Sequence, residues 1–171
     1  AIWPMDLEAG GTWIGAAEHG LCLCLLNLNL EPPGSFLGRG KLRSRGLLIP
    51  ELLAGRDLEE VEAGLRAADL RQVAPFRLIA IDLVALGLCD PRVLEARWDH
   101  RELQMTWHGG MPVCFVSSGL GDSMVQPRLD LFEEAVVAPG VTPKLLDAFR
   151  RHMSPDGPEI SLLLSLEEAC T

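Results

Sequence analysis

Two short blocks hold most of the residues whose types and spacing can do chemistry: Gly10-Gly11-Thr12-Trp13-Ile14-Gly15 and Ser117-Ser118-Gly119-Leu120-Gly121-Asp122. In the first, paired glycines let backbone approach a ligand closely and Trp13 offers a flat apolar face, which makes Gly11 and Trp13 candidate substrate-binding residues. The same residues also make a tight entry into a strand carrying one core aromatic, and both readings stand. In the second block, loop N–H groups ahead of a helix can hold an anion or a carboxylate, with Ser118 as the candidate contact. Asp122 can equally cap that helix itself, and no histidine neighbours the serines to activate them. Arg45 follows Ser44 at a predicted helix start, where the helix dipole disfavours a cation, so its guanidinium calls for a specific use.

Cys22-Leu23-Cys24 puts two thiols on one strand face, yet no C-x-x-C or H-E-x-x-H spacing occurs in the chain. Packing as small apolar residues is the reading preferred for them. His19, His100, His108 and His152 are dispersed among charged or glycine neighbours, and none reads as a ligand or a base. No metal site and no cofactor is expected.

Asn27 and the triplet Ser44-Arg45-Gly46 lie between the two blocks, and together the four features resemble the NRDE family, also called the transport and Golgi organisation family, over about Gly10 to Thr171. The resemblance implies an N-terminal-nucleophile-hydrolase-like αββα four-layer sandwich. In such hydrolases the side chain of the first residue attacks a carbonyl while its own α-amine takes the proton. The family carries a cysteine after its initiator methionine and then an Asn-Arg-Asp-Glu segment. This chain begins with Ala1, some tens of residues inside that pattern, so the expectation is a fold incomplete at both ends and inactive by the family's route.

By the same resemblance, Asn27 ends the second strand and donates its amide to a developing oxyanion, a contribution of roughly 3 kcal/mol in such sites. The alternative is that Asn27 bonds the adjacent loop backbone. Arg45 would lower a thiol pKa or clamp a substrate carboxylate. The arginine usual after the family's asparagine is replaced here by Leu28-Asn29-Leu30. The implied substrate is a small amide or acyl compound, including thioesters. The competing reading is a non-catalytic binder or carrier of lipid, acyl-CoA or haem, although no haem ligand is recognisable.

These residues need elements to position them. Gly11 to Glu18 and Leu21 to Leu28 read as a hairpin turning at His19-Gly20, with glycine supplying a positive φ. The second strand is apolar on both faces and so must be covered on each side. Asn29 to Arg43 reads as an irregular loop, a candidate lid. Ser44 is predicted to cap a helix carrying Leu48, Ile49, Leu52 and Leu53 and ending at Gly55. Asp57 is predicted to cap a second helix through about Leu70, with Leu58, Val61, Leu65 and Ala68 on one face. Phe76 to Val84, Val93 to Trp98, Leu103 to Trp107 and Val113 to Ser117 read as four strands of an antiparallel meander. Helices are predicted over Asp122 to Val137, with Pro127 in the first turn, and over Thr142 to His152. A last strand is predicted over Glu159 to Ser165. The pattern alone gives an α+β class, in one domain spanning residues 1–171.

Composition narrows the partners. The chain has 171 residues, 48% of them hydrophobic, and a net charge of −9. An acidic surface repels phosphate backbones, which argues against nucleic acid. Asn27 and Asn29 interrupt one apolar run and Arg77 and Asp82 another, so no membrane span is expected. Five scattered cysteines suit reduced, buried thiols and a cytoplasmic location. Unpaired strand edges predict self-association.

Overall fold

The fold, seen in a computed structural model, is described for residues 1–8, 10–28, 42–84, 92–109, 112–117 and 126–137. The predicted loop Asn29 to Arg43, apart from its last two residues, the predicted helix Thr142 to His152 and the predicted strand Glu159 to Ser165 lie outside these residues.

The architecture is α+β. Five antiparallel strands form one sheet in sequence order: β1 (Ile14–Ala16), β2 (Leu21–Asn27), β3 (Phe76–Asp82), β4 (Arg92–Trp98) and β5 (Leu103–Gly109). The β1–β2 hairpin closes as expected, with Gly20 at φ +98°. Between β2 and β3 the chain forms a 3₁₀ turn (Arg45–Leu47), α1 (Leu48–Leu52) and α2 (Leu58–Ala67).

Alternation along the strands sorts the sheet into two faces. Leu21, Leu23 and Leu25 of β2, Phe76, Leu78 and Ala80 of β3, and Leu94, Ala96 and Trp98 of β4 pack with Leu48, Ile49 and Leu52 of α1 and Leu58, Val61 and Leu65 of α2. Each fully buried aliphatic side chain there contributes about 1.5–3 kcal/mol relative to exposure. The opposite face carries a second cluster of Cys24, Ile79, Ile81 and Val93, with Leu26 and Phe115 against it. β2 is therefore apolar on both faces because both are covered.

Helix α2 begins as its sequence dictates. The Asp57 carboxylate accepts from Glu60 N at 2.8 Å, and Leu58, Val61 and Leu65 recur on the buried face. It ends at Ala67 because Ala68 takes an extended ψ of 140°. Two expectations change. Ser44 makes no side-chain cap bond, and the segment opens as a three-residue 3₁₀ turn whose start is fixed by tertiary contacts. Val113 to Ser117 forms no strand; it crosses the second sheet face, where Phe115 packs and the Val116 carbonyl accepts from Arg77 Nη1 at 2.9 Å. The helix after it, α3, is described from Gln126 to Phe132 and passes into a π-helical turn at Glu133–Val137. Pro127 is the second residue of its described span.

Candidate functional site

The site is made where β1 and β2 stop matching. β2 runs to Asn27, but β1 begins only at Ile14, and Leu25 N still reaches Trp13 O at 2.8 Å. Ahead of Trp13 the chain leaves the sheet edge. Gly10, at φ +70°, turns it, and Gly11-Thr12 crosses the 3₁₀ turn at backbone contact. A Cβ on Gly11 would lie 2.8 Å from the Gly46 carbonyl carbon, and one on Gly46 would lie 2.7 Å from both N and O of Thr12. The crossing is tied by Thr12 N to Gly46 O at 3.1 Å. Thr12 is buried, and its hydroxyl donates to Ile14 O at 2.8 Å. The glycine-rich block and the Ser-Arg-Gly triplet are thus one structural unit, and the close crossing accounts for Gly11 and Gly46 without a ligand.

The departure of β1 opens a cleft of about 450 Å³, within the roughly 300–1,000 Å³ of small-molecule sites. One wall is apolar, from Trp13, Ile14, Cys24, Leu25 and Leu26. The lining also includes polar groups from Asp6, Asn27, Ser44, Arg45 and Ser117. Four candidates chosen from sequence, Gly11, Trp13, Asn27 and Arg45, therefore meet around one cleft although up to 34 positions separate them. Ser118 lies outside the described residues, and its neighbour Ser117 lines the cleft.

Trp13 is 56% exposed, so its ring is a cleft surface and not a core aromatic. The Asn27 and Ser44 side chains line the cleft, and neither has a hydrogen-bond partner among the described residues. Residues 29–41, whose backbone Asn27 would bond in the alternative reading, lie outside the described residues. Arg45 donates through Nη1 to the Pro75 carbonyl. That bond gives a specific use to an arginine placed where a helix dipole would disfavour one, while burial lowers its pKa. The guanidinium stays charged and is anchored from behind.

Cys24 is the thiol on the cleft wall. Burial, with Cys22 nearby, pushes its pKa up to about 11, so it stays a neutral thiol. Burial also raises Cys22 and Cys114. Among the described residues, no group of three or more His, Cys, Asp or Glu side chains is arranged to hold a metal. The cleft can bind and orient a small molecule with an apolar body and a polar end, but its own thiol is not activated for attack. Sequence reasoning missed Asp6 and Cys24 as lining residues. Asp6 carries no motif, and its place follows only from the turn in which Asp6 O accepts from Gly10 N at 2.8 Å.

A family model described as transport and Golgi organisation 2 matches residues 1–120, which include every candidate site residue. No curated protein and no solved structure matches the chain.

Proposed function

The chain belongs to the transport and Golgi organisation 2 family, and from that premise we propose that the cleft binds a small amide or acyl compound, a thioester among them. Its apolar part rests on Trp13 and its carbonyl lies at Asn27. The observation that carries this reading is the convergence of Trp13, Asn27 and Arg45 on one cleft, where the Asn27 amide has no partner among the described residues. In the hydrolytic form of the proposal, the Asn27 amide donates to the oxyanion, and Arg45, braced on Pro75, supplies positive charge to the thiol or to a substrate carboxylate. The attacking thiol is then the family's N-terminal cysteine, which these 171 residues do not contain. Cys24 is held neutral. The same proposal takes residues 1–171 as one domain of an αββα sandwich, with the described sheet as one of its two, in a cytoplasmic protein.

The second reading, a non-catalytic binder of acyl or lipid-like molecules, is favoured by that same neutral thiol, because binding needs no nucleophile. Mass mapping of the N-terminus of the natural protein, with alkylation of reactive thiols, separates the two. Where an upstream cysteine is present, Asn27→Ala should lower turnover of acyl thioesters by about 10²–10³ at unchanged fold. Unchanged turnover would remove Asn27 from the mechanism. Where the mature chain starts at Ala1, the variant should weaken acyl-compound binding alone.

A further inference from the structure

On the sheet face away from α1 and α2, three adjacent strands each contribute one charged or titratable side chain to a connected row. Arg77 Nε of β3 lies 2.8 Å from Glu95 Oε1 of β4, and His108 Nε2 of β5 lies 2.9 Å from Glu95 Oε2. Each carboxylate oxygen has a close nitrogen neighbour, and the Arg77 Nε contact is an ion pair without hydrogen-bond alignment. In register Glu95 faces Ile79 and Thr106, so both contacts are diagonal ones, made across the pleat by side chains that must reach for each other. The three side chains are only 14%, 17% and 27% exposed.

Such a row is not explained by stability alone. Charges drawn from water carry a desolvation cost, and a well-packed apolar trio often does as well or better. What the row touches supplies the reason. Arg77 Nη1 donates to the Val116 carbonyl at 2.9 Å, and the His108 ring meets Phe115 edge-on at 5.3 Å. Residues 112–117 have no strand assignment, so no sheet ladder fixes them. Among the described residues they are held by these side-chain contacts, by burial of Val116 and by partial burial of Phe115. The next residue, Ser117, forms part of the cleft wall.

We propose that Arg77, Glu95 and His108 form a brace that positions the Ser117 wall of the cleft, with Arg77 holding the Val116–Ser117 peptide and Glu95 and His108 holding Arg77. None of the three is a catalytic residue; they are positioning residues. The brace itself is independent of any ligand, and its effect on binding rests on the cleft reading given above.

The Val116 carbonyl ¹³C and Ser117 amide ¹⁵N resonances report directly on a hydrogen bond to that carbonyl, and they can be read in the full-length labelled protein. Glu95→Gln keeps the side chain's shape and removes its charge, so both resonances should move toward their non-hydrogen-bonded positions while β1 and β2 resonances stay in place. Arg77→Met should move them the same way, and Arg77→Lys should restore them in part. Arg71→Met, which breaks an exposed pair with Asp69, should leave them unchanged. A folded Glu95→Gln protein with native Val116 and Ser117 resonances would overturn the brace. Should Arg77→Met fail to fold, Glu95→Gln decides alone. A second arm uses the fluorescent apolar anion 8-anilinonaphthalene-1-sulfonate. Its affinity should fall at least threefold in Glu95→Gln and in Trp13→Ala. Binding indifferent to Trp13→Ala would count against the cleft as the ligand site, and the resonances would still decide the brace.

Discussion

Cys24 shows how a single residue's chemistry is set by where the sheet puts it. On β2 it packs with Ile79, Ile81 and Val93, and burial, more than the neighbouring Cys22, pushes its pKa from 9.0 to about 11. Because the folded pKa lies above the unfolded one, the folded protein keeps its proton where the unfolded chain has lost it. Stability should therefore be unaffected below about pH 9 and fall as pH rises from about 9 to 11. Urea melts across that range should show the loss, and Cys24→Ala should flatten it. An equal slope in the variant would mean that other groups carry the alkaline transition. Asn27 and Arg45 make the opposite point. Their types and motif positions were readable from sequence, whereas their meeting at one cleft and the Pro75 anchor of Arg45 come from contacts between residues far apart in the chain.

Elements were legible where local chemistry decides them. The positive φ of Gly20 and the Asp57 cap both follow from residue type, as does the i, i+3, i+7 burial of Leu58, Val61 and Leu65. Ser44 misled because a serine before an apolar run is the signature of a cap, while here the start of the segment is set by the crossing with Gly11-Thr12. Val113 to Ser117 misled because its apolar residues serve packing against a sheet face instead of pairing in a ladder. The crossing yields a test. Gly46→Ala would press a methyl onto the Thr12 backbone, which cannot swing aside as a side chain can. It should cost about 1–3 kcal/mol in urea unfolding. Gly109→Ala, with open space around its Cβ, should stay within about 0.5 kcal/mol. Equal effects of the two would contradict the tight crossing.

For the whole molecule, β1 is an edge strand of the sheet among the described residues, and that edge bears on association. Outside β1 the chain is engaged by a single bridge from Ile2 to Ala16, while Ile2, Met5 and Leu7 are 76%, 61% and 92% exposed. Exposed apolar residues beside a thinly covered strand edge favour association. We predict concentration-dependent self-association in sedimentation velocity, diminished when Ile2 and Leu7 are replaced together by serine. A monomer at all concentrations would refute it. No helix among the described residues is long and apolar enough to cross a membrane. By itself the sequence determined the family, the α+β class, the hairpin, the second helix and the residue types of the candidate site, because turns, caps, periodicity and motif composition are properties of neighbouring residues. Only the tertiary structure decided that the glycine block and the Ser-Arg-Gly triplet are one crossing, that β1 departs to open the cleft, and that Arg77, Glu95 and His108 meet behind its wall. Those outcomes depend on strand register and on which backbones touch, and such long-range contacts leave no periodic trace in the chain.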